Sequence, residues 1–378
     1  VRHPDANTAY GTDSAHDELN RLTELRHFDD DNDAVYEPGV DTLLAEYLYT
    51  LRADGLRVRA DETDANGDTS FDWVYDELGR LTEETYDGPG TADGYVARYG
   101  FDLASNRVHK EVDLGNDATV DEIITYFHDV NDRLTREERD DQTPAAADTT
   151  TFYDYDATEQ TSKKQYGGLH TSEPTGDPDS TTTYEYNLQG RLEKVTVYDG
   201  TSVTVTDYLY NDAGARIQKT VQVDGGVAVV TEYHIDPQNH TGYAKAIEEI
   251  VDGQLERSYA IGHAIISQAL ADGTLFQLLH DGHGSTRALL NPVSGQIVER
   301  YAYDAYGETL AGTGLTSAAL AQTTWLFAGE WWDKIARPQT QNAWRVARQF
   351  ATRRCGSHRD ALAEKKSTPG RIRTYNPR

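Results

Sequence analysis

Three stretches of the sequence carry residue types that could do chemistry. Gly284-Ser285-Thr286-Arg287 offers a hydroxyl between a glycine and a guanidinium. A nucleophilic serine needs a Gly-x-Ser-x-Gly elbow and a base beside it, and neither is placed here. His280 and His283 stand three apart, with His263 upstream. A His-x-x-His pair can hold zinc only with further ligands, and none is spaced for the task. Asp64-Ala65-Asn66-Gly67-Asp68 opens like a calcium loop. Aligned from Glu62, the twelfth place, where a bidentate Glu belongs, is Trp73. No catalytic residue, metal site or cofactor is assigned.

A fourth juxtaposition, of acid and guanidinium, is periodic. The clearest copy is Val74-Tyr75-Asp76-Glu77-Leu78-Gly79-Arg80-Leu81-Thr82: a strand-like run, Tyr, Asp, two variable residues, Gly, Arg and an apolar residue. Tyr186-Asn187-Leu188-Gln189-Gly190-Arg191-Leu192 repeats it. Asp17 to Arg21, Asp102 to Arg107 and Asp129 to Arg133 are near copies. Decayed copies begin at Arg52, Asp156 and Asn211 (with Gly214), and Tyr303-Asp304-Ala305-Tyr306-Gly307 is a late one. Starts at 17, 52, 76, 102, 129, 156, 187 and 211 lie 35, 24, 26, 27, 27, 31 and 24 residues apart. Asp or Asn opens a turn by accepting backbone N–H groups two residues on. The fourth place holds Gly, Asn or Asp, the types that tolerate left-handed backbone. Turn chemistry explains both spacing and substitutions, so an acid–base role is not assigned. The Arg after the turn is expected to lie over a neighbouring Tyr ring and pair with an acid.

The elements that must hold these corners are strands. Leu192-Glu193-Lys194-Val195-Thr196-Val197-Tyr198 and Val203 to Tyr210 alternate with period two. A second turn such as Tyr198-Asp199-Gly200-Thr201 follows, so one period is a hairpin of ~25 residues. A lone hairpin is marginal, and stacking buries a common face. Composition agrees. Hydrophobic content is 37%, yet 24 Tyr, 8 Phe and 5 Trp argue against disorder. Tyr and Thr suit a half-buried pleated surface. The predicted fold is all-β: a repetitive antiparallel β-hairpin array, a curved open strip with exposed edges. One cysteine, Cys355, excludes a disulfide scaffold, and no apolar run approaches the ~20 residues of a membrane span. The start at Val1 and the lack of Met read as a piece of a longer frame.

The Tyr-Asp-x-x-Gly-Arg-Leu units resemble YD repeats of bacterial Rhs and wall-associated proteins, toxin-complex subunits and teneurins. His280 to Leu289, with Gly284, Ser285, Thr286 and Arg287, resembles the signature of the Rhs repeat-associated core. Gly295 to Glu308, with Tyr303, Asp304 and Gly307, is similar to the next stretch of that core. The resemblance covers about residues 10–333. It implies a spiralling β-sheet shell that holds a C-terminal payload, often a toxin, in an exported or surface protein. It fails after Trp332-Asp333, where Lys334-Ile335-Ala336-Arg337-Pro338 replaces the family's tyrosine-rich run. The family's self-cleavage motif is absent, so no autoproteolysis is expected of this chain.

Residues 1–235 read as YD repeats, 236–332 as the core-like segment, still β, and 333–378 as a divergent tail. A short helical turn is expected at Ser317-Ala318-Ala319-Leu320, and the tail is expected to be helical over Asn342 to Ala351 or disordered. The tail carries 12 Lys/Arg and 3 Asp/Glu, a balance of +9; the rest carries 23 and 61, a balance of −38. Such a body repels nucleic acid and anionic lipid. The tail reads as a frameshifted or truncated product, a short payload, or a basic arm. The function expected is a non-enzymatic shell or carrier module. Its implied partners are the rest of the parent polypeptide, the payload, and secretion components or a target-cell surface. The alternatives are an adhesion module using exposed Tyr, and a toxic activity in residues 333–378.

Overall fold

Each sequence repeat folds as a hairpin, and the hairpins join in one antiparallel sheet of 23 strands. From Ala9–His16 to Gln296–Arg300, each strand pairs with its sequence neighbours, so the topology is an unbroken meander. The sheet is not closed: the first strand pairs with the second and the last with the one before it. The computed structural model describes residues 9–30, 35–90, 94–143, 147–157, 160–239, 241–262, 264–312, 314–318 and 320–332. His263 and the whole tail 333–378, with its expected helix, lie outside the described residues. Among the described residues no helix is long and apolar enough to cross a membrane.

Alternation decides which face is buried. In Leu43–Leu51, Ala45, Tyr47 and Tyr49 point inward, while Leu48 and Thr50 between and beyond them are exposed. The register then lines up Tyr49, Ala60, Phe71, Tyr86 and Tyr95 in one buried row across five strands. Phe71 and Tyr86 have ring centroids 4.7 Å apart, and Tyr86 and Tyr95 5.8 Å. Each such cross-strand aromatic pair contributes roughly 0.2–1 kcal/mol beyond alanine. Tyrosine does the work that leucine does in most cores. Its hydroxyl can reach a backbone carbonyl, as Tyr210 reaches Leu192 O, or a buried acid, as Tyr259 reaches Glu249, and burial raises its pKa, as at Tyr184.

The sheet runs without a break through residues 235 and 236, because Val229–Asp236 pairs with Arg216–Val223 behind it and Lys245–Val251 ahead. It ends earlier than the core-like segment was expected to remain β. Among the described residues after Arg300, only isolated bridges, Tyr303 with Thr309 and Trp325 with Trp331, and one 3-10 turn at Phe327–Gly329 are formed. Tyr301, Ala302, Tyr303 and Asp304 are all buried, as are Thr323 to Leu326. A strand with one wet face cannot bury consecutive side chains. The described residues of 301–332, the end piece, instead fold back over the inner face of the curled sheet. Within it, Ser317 O accepts the N–H groups of Leu320 (3.0 Å) and Ala321 (3.1 Å), a single turn where a short helical one was expected.

Candidate functional site

The corners share one geometry. At Asp76 the backbone N–H donates to Arg80 O (3.0 Å) and Gly79 N–H returns to Asp76 O (3.0 Å). The carboxylate Oδ1 accepts from the N–H groups of Leu78 (2.9 Å) and Arg80 (2.8 Å). The same set recurs at Asp17, Asp129, Asn187, Asp281 and Asp304. Its backbone part recurs at Arg52, Asp102 and Asn211, where Asn211 Oδ1 receives Ala215 N–H. The fourth residue is left-handed throughout: Gly79 at φ +77°, but also Asn20, Ser105 and Asp132 at +59°, +72° and +60°. Gly190, Gly214, Gly284 and Gly307 fill the same place. Gly-Ser-Thr-Arg and Tyr-Asp-Ala-Tyr-Gly are therefore corners of the repeat, not separate devices.

Side chains then tie one corner to the next. Arg21, Arg80 and Arg133 each clasp their own Asp at 2.6 Å. Arg21 Nη1 also donates to Arg52 O, and Arg80 Nη1 to Asp102 O, both at 2.9 Å. The guanidinium of Arg80 lies 4.9 Å from the Phe101 ring, and that of Arg133 4.9 Å from the Tyr155 ring. Arg191 presses on the next corner so closely that a Cβ on Gly214 would sit 2.5 Å from its Nη2. The tyrosine ahead of a corner ties backward: Tyr155, Tyr210 and Tyr303 donate to Leu134 O (2.8 Å), Leu192 O (2.7 Å) and Thr286 O (2.7 Å). Arg107, grouped by sequence with the corner arginines, sits one place too late. Asn106 takes the corner position, bonding Asp102 and Asp132, and Arg107 turns inward over Tyr126 and Tyr306. Sequence reasoning also missed a threonine two places past the corner arginine in three copies: Thr23, Thr82 and Thr135 donate back to Ala15 O, Val74 O and Phe127 O, stitching the bulge beside it. Its signal was in plain view, as the Thr after Arg-Leu.

Corner acids titrate low. Asp17, Asp102 and Asp129 lie below the usual 3.8, led respectively by the Arg21 N–H, the Asn106 amide and the Arg133 guanidinium. Their folded pKa is depressed, so the stability they add is full above the unfolded value and is lost as pH falls through the folded one. Amide protection at Asn131 and Arg133 is expected to drop below about pH 4. Asp129→Asn, which keeps the acceptor that Asn187 and Asn211 already use, should flatten that loss in hydrogen exchange. An unchanged acid transition in the variant would show that the carboxylate does not govern the corner.

The second feature is the seam where the end piece and its preceding strands meet the early repeats. Arg287 donates to both oxygens of Glu62 (2.8 and 2.5 Å) and, through Nε, to Tyr301 O (2.8 Å). Asp281 stands 3.4 Å from the same guanidinium, and the Tyr47 ring 5.4 Å. Burial by itself would raise Asp281; Arg287, His283 and Arg57 overcome that and hold it low. The Gly282 peptide is gripped at both ends: Arg57 donates to its carbonyl (2.8 Å) and its N–H donates to Tyr49 Oη (2.7 Å). A Cβ there would meet Leu22 at 2.5 Å and Tyr49 at 2.8 Å, so the position requires glycine. Arg300 closes the row on Asp64 at 2.8 Å.

These contacts decide the candidates raised by sequence. Asp64 heads a tight hairpin turn and pairs with Arg300. Ser285, 1% exposed, accepts the N–H of Ala328 at 3.0 Å. Burial pushes the pKa of His280 down to about 4, with the neighbouring His27 adding to it. His27 Nε2 lies 2.7 Å from the His280 carbonyl, so it carries the proton there, and Nδ1 faces Thr12 Oγ1 at 3.0 Å. His283 rests on Phe327, ring centroids 5.3 Å apart. Among the described residues no three His, Cys, Asp or Glu converge as a metal site would need. A cavity of about 50 Å³ lies between Glu62, Asp64, Arg287 and Arg300. Ligand sites run to roughly 300–1,000 Å³, so this one suits a water or two. The arrangement orders polypeptide; its charges are paired with each other.

No protein-family model matches the sequence, and no curated protein does. Solved structures similar to the chain include one described as TcdB2-TccC3, at 17% identity and a TM-score of 0.43. Another, TcdB2-TccC3-Cdc42, gives 16% and 0.41. In both the match covers 85% of this chain and 18% of the other, so the chain spans under a fifth of those proteins. A porin-like protein from Bacteroides uniformis matches at 10% identity and a TM-score of 0.28, over 58% of this chain and 93% of that one.

Proposed function

We propose that this chain is a wall segment of an Rhs-type YD-repeat shell that encloses or presents a C-terminal effector, and that it catalyses nothing itself. The observation that carries this reading is the path of the chain. Clamped corners extend a single sheet, and the polypeptide then turns to the inner face, where Trp331 packs on Tyr233 (centroids 4.5 Å apart) and under Arg216. Trp332, the last described residue, packs against the same core. Export and surface location belong to the same reading, as do the partners: the remaining shell and its payload. The tyrosines serve the inner core. Among the described residues only two tyrosines, Tyr198 and Tyr243, rank with the exposed large hydrophobics, which gives an adhesive role little to work with.

The test is protection in the parent polypeptide. Protease should cut the sequence beyond residue 332 at least about tenfold more slowly there than when it is expressed alone. Equal rates would remove the carrier reading, and growth inhibition by residues 333–378 alone would move activity into the tail.

A further inference from the structure

The late corner brings an acid of the end piece to an acid buried beneath it. Glu84, on Leu81–Asp87, is fully buried. Its Oε1 accepts from the Tyr95 hydroxyl and from Ala305 N–H (3.1 Å), and its Oε2 from Trp73 Nε1 (2.7 Å). Ala305 follows Asp304, which is 7% exposed and heads the Asp304 to Glu308 corner. One ammonium, Lys110, reaches Asp304, at 4.0 Å. Among the described residues no cation pairs with Glu84. The groups facing it come from every side. Gly67–Tyr75 contributes Trp73 and Tyr75, and Tyr95–Phe101 contributes Tyr95 and Tyr99. Around these, Arg107–Leu114 contributes Lys110, which reaches Asp304, and Arg107, spread over the rings of Tyr99, Tyr126 and Tyr306. The corner adds Asp304 and Tyr306, with the Glu308 N–H on Asp304 Oδ1 behind them. Two carboxylates thus share a dry interface that holds one end piece against one set of strands.

We propose that Glu84 and the Asp304 corner form a proton-operated latch, which seats residues 301–332 firmly on the inner face while Glu84 is protonated and loosens them when both acids are ionised. Like charges in a low-dielectric contact repel, and a proton is the cheapest relief. Burial first, and Asp304 second, raise Glu84 from 4.5 to about 7, against the pull of its three donors. Once the end piece lifts, Glu84 faces water and returns toward its ordinary value. The folded pKa is the higher one, so the seated form holds the extra proton between about 4.5 and 7. Seating is therefore strongest at the acid end, weakens through that window and is level above it. The latch stands whether or not the chain walls in a payload.

Hydrogen exchange of the full chain from pH 5 to 8, corrected for intrinsic rates, tests it above the range where the corner acids titrate. The opening constant of residues 301–312 and 321–332 should rise about tenfold per pH unit up to ~7 and then level off. Glu84→Gln should hold it flat. Asp304→Asn keeps the corner acceptor, as Asn187 and Asn211 do, and should move the midpoint to lower pH. A wild-type profile without slope, or a Gln variant that follows wild type, overturns the latch. Should Glu84→Gln lose its β-sheet signal, the Asn variant decides: an unmoved midpoint overturns the proposal.

Discussion

Arg287→Met should cost about 3–5 kcal/mol in urea unfolding, the range for stripping one partner from a buried ion pair. Arg287 and Glu62 are only 11% and 10% exposed, and methionine fills much of the volume while supplying no charge. Glu62 would lose both guanidinium donors and keep only the long Thr69 hydroxyl contact (3.4 Å), Asp281 would lose the guanidinium beside it, and Tyr301 O its Nε–H. The companion Glu62→Gln with Arg287→Met should recover part of the loss, because the uncompensated carboxylate is then gone. The coupling between the two sites should exceed about 1 kcal/mol. A single-variant loss under about 1 kcal/mol would place the pair with exposed ones, and the seam would need another source of strength.

The corners were legible because their chemistry is local: a carboxylate oxygen meets N–H groups two and four residues on. The same logic explains a miss. Leu270-Ala271-Asp272-Gly273-Thr274 is also a corner, with Leu270 N–H on Thr274 O (2.8 Å) and Gly273 left-handed at +86°. Its head residue is apolar, and Asp272 caps Thr274 N–H from inside the turn, as Asp54 caps Leu56 in the Arg52 copy. The eye searching for Asx at the head passes over it. The seam was illegible for a different reason: Arg287 finds Glu62 across 225 residues, a separation no local pattern encodes. A faint signal existed. Glu62 and Glu84 occupy inward places in alternating strands, where an acid must have a partner that the strand itself does not provide. Nor could alternation reveal the end piece, which buries neighbours in sequence together and so leaves no period to read.

Trp325→Ala should be as costly, about 3–5 kcal/mol, and its distribution along the chain is the informative part. The indole is 3% exposed. It lies edge-on to Tyr259 (6.0 Å), tilted against Trp331 (5.5 Å) and under Lys245 Nζ (4.6 Å). It shares a core with Leu278, Leu289, Tyr301 and Leu326, so its loss opens a cavity beneath the last strands. The buried rings of Leu43–Leu51 through Tyr95–Phe101 form another core, on which Tyr306 and Leu310 of the end piece also pack, and corner clamps join those early strands to one another. Where nearest-neighbour contacts dominate, damage stays near where it is made and reaches the early strands only through the seam. Exchange protection should therefore fall across residues 245–261 and 265–332 while residues 43–141 keep theirs. If those early strands lose protection to the same degree, the sheet unfolds as one body. The end piece would then be the keystone of the whole curl, acting through the contacts it makes with Glu84, Tyr99 and Arg107.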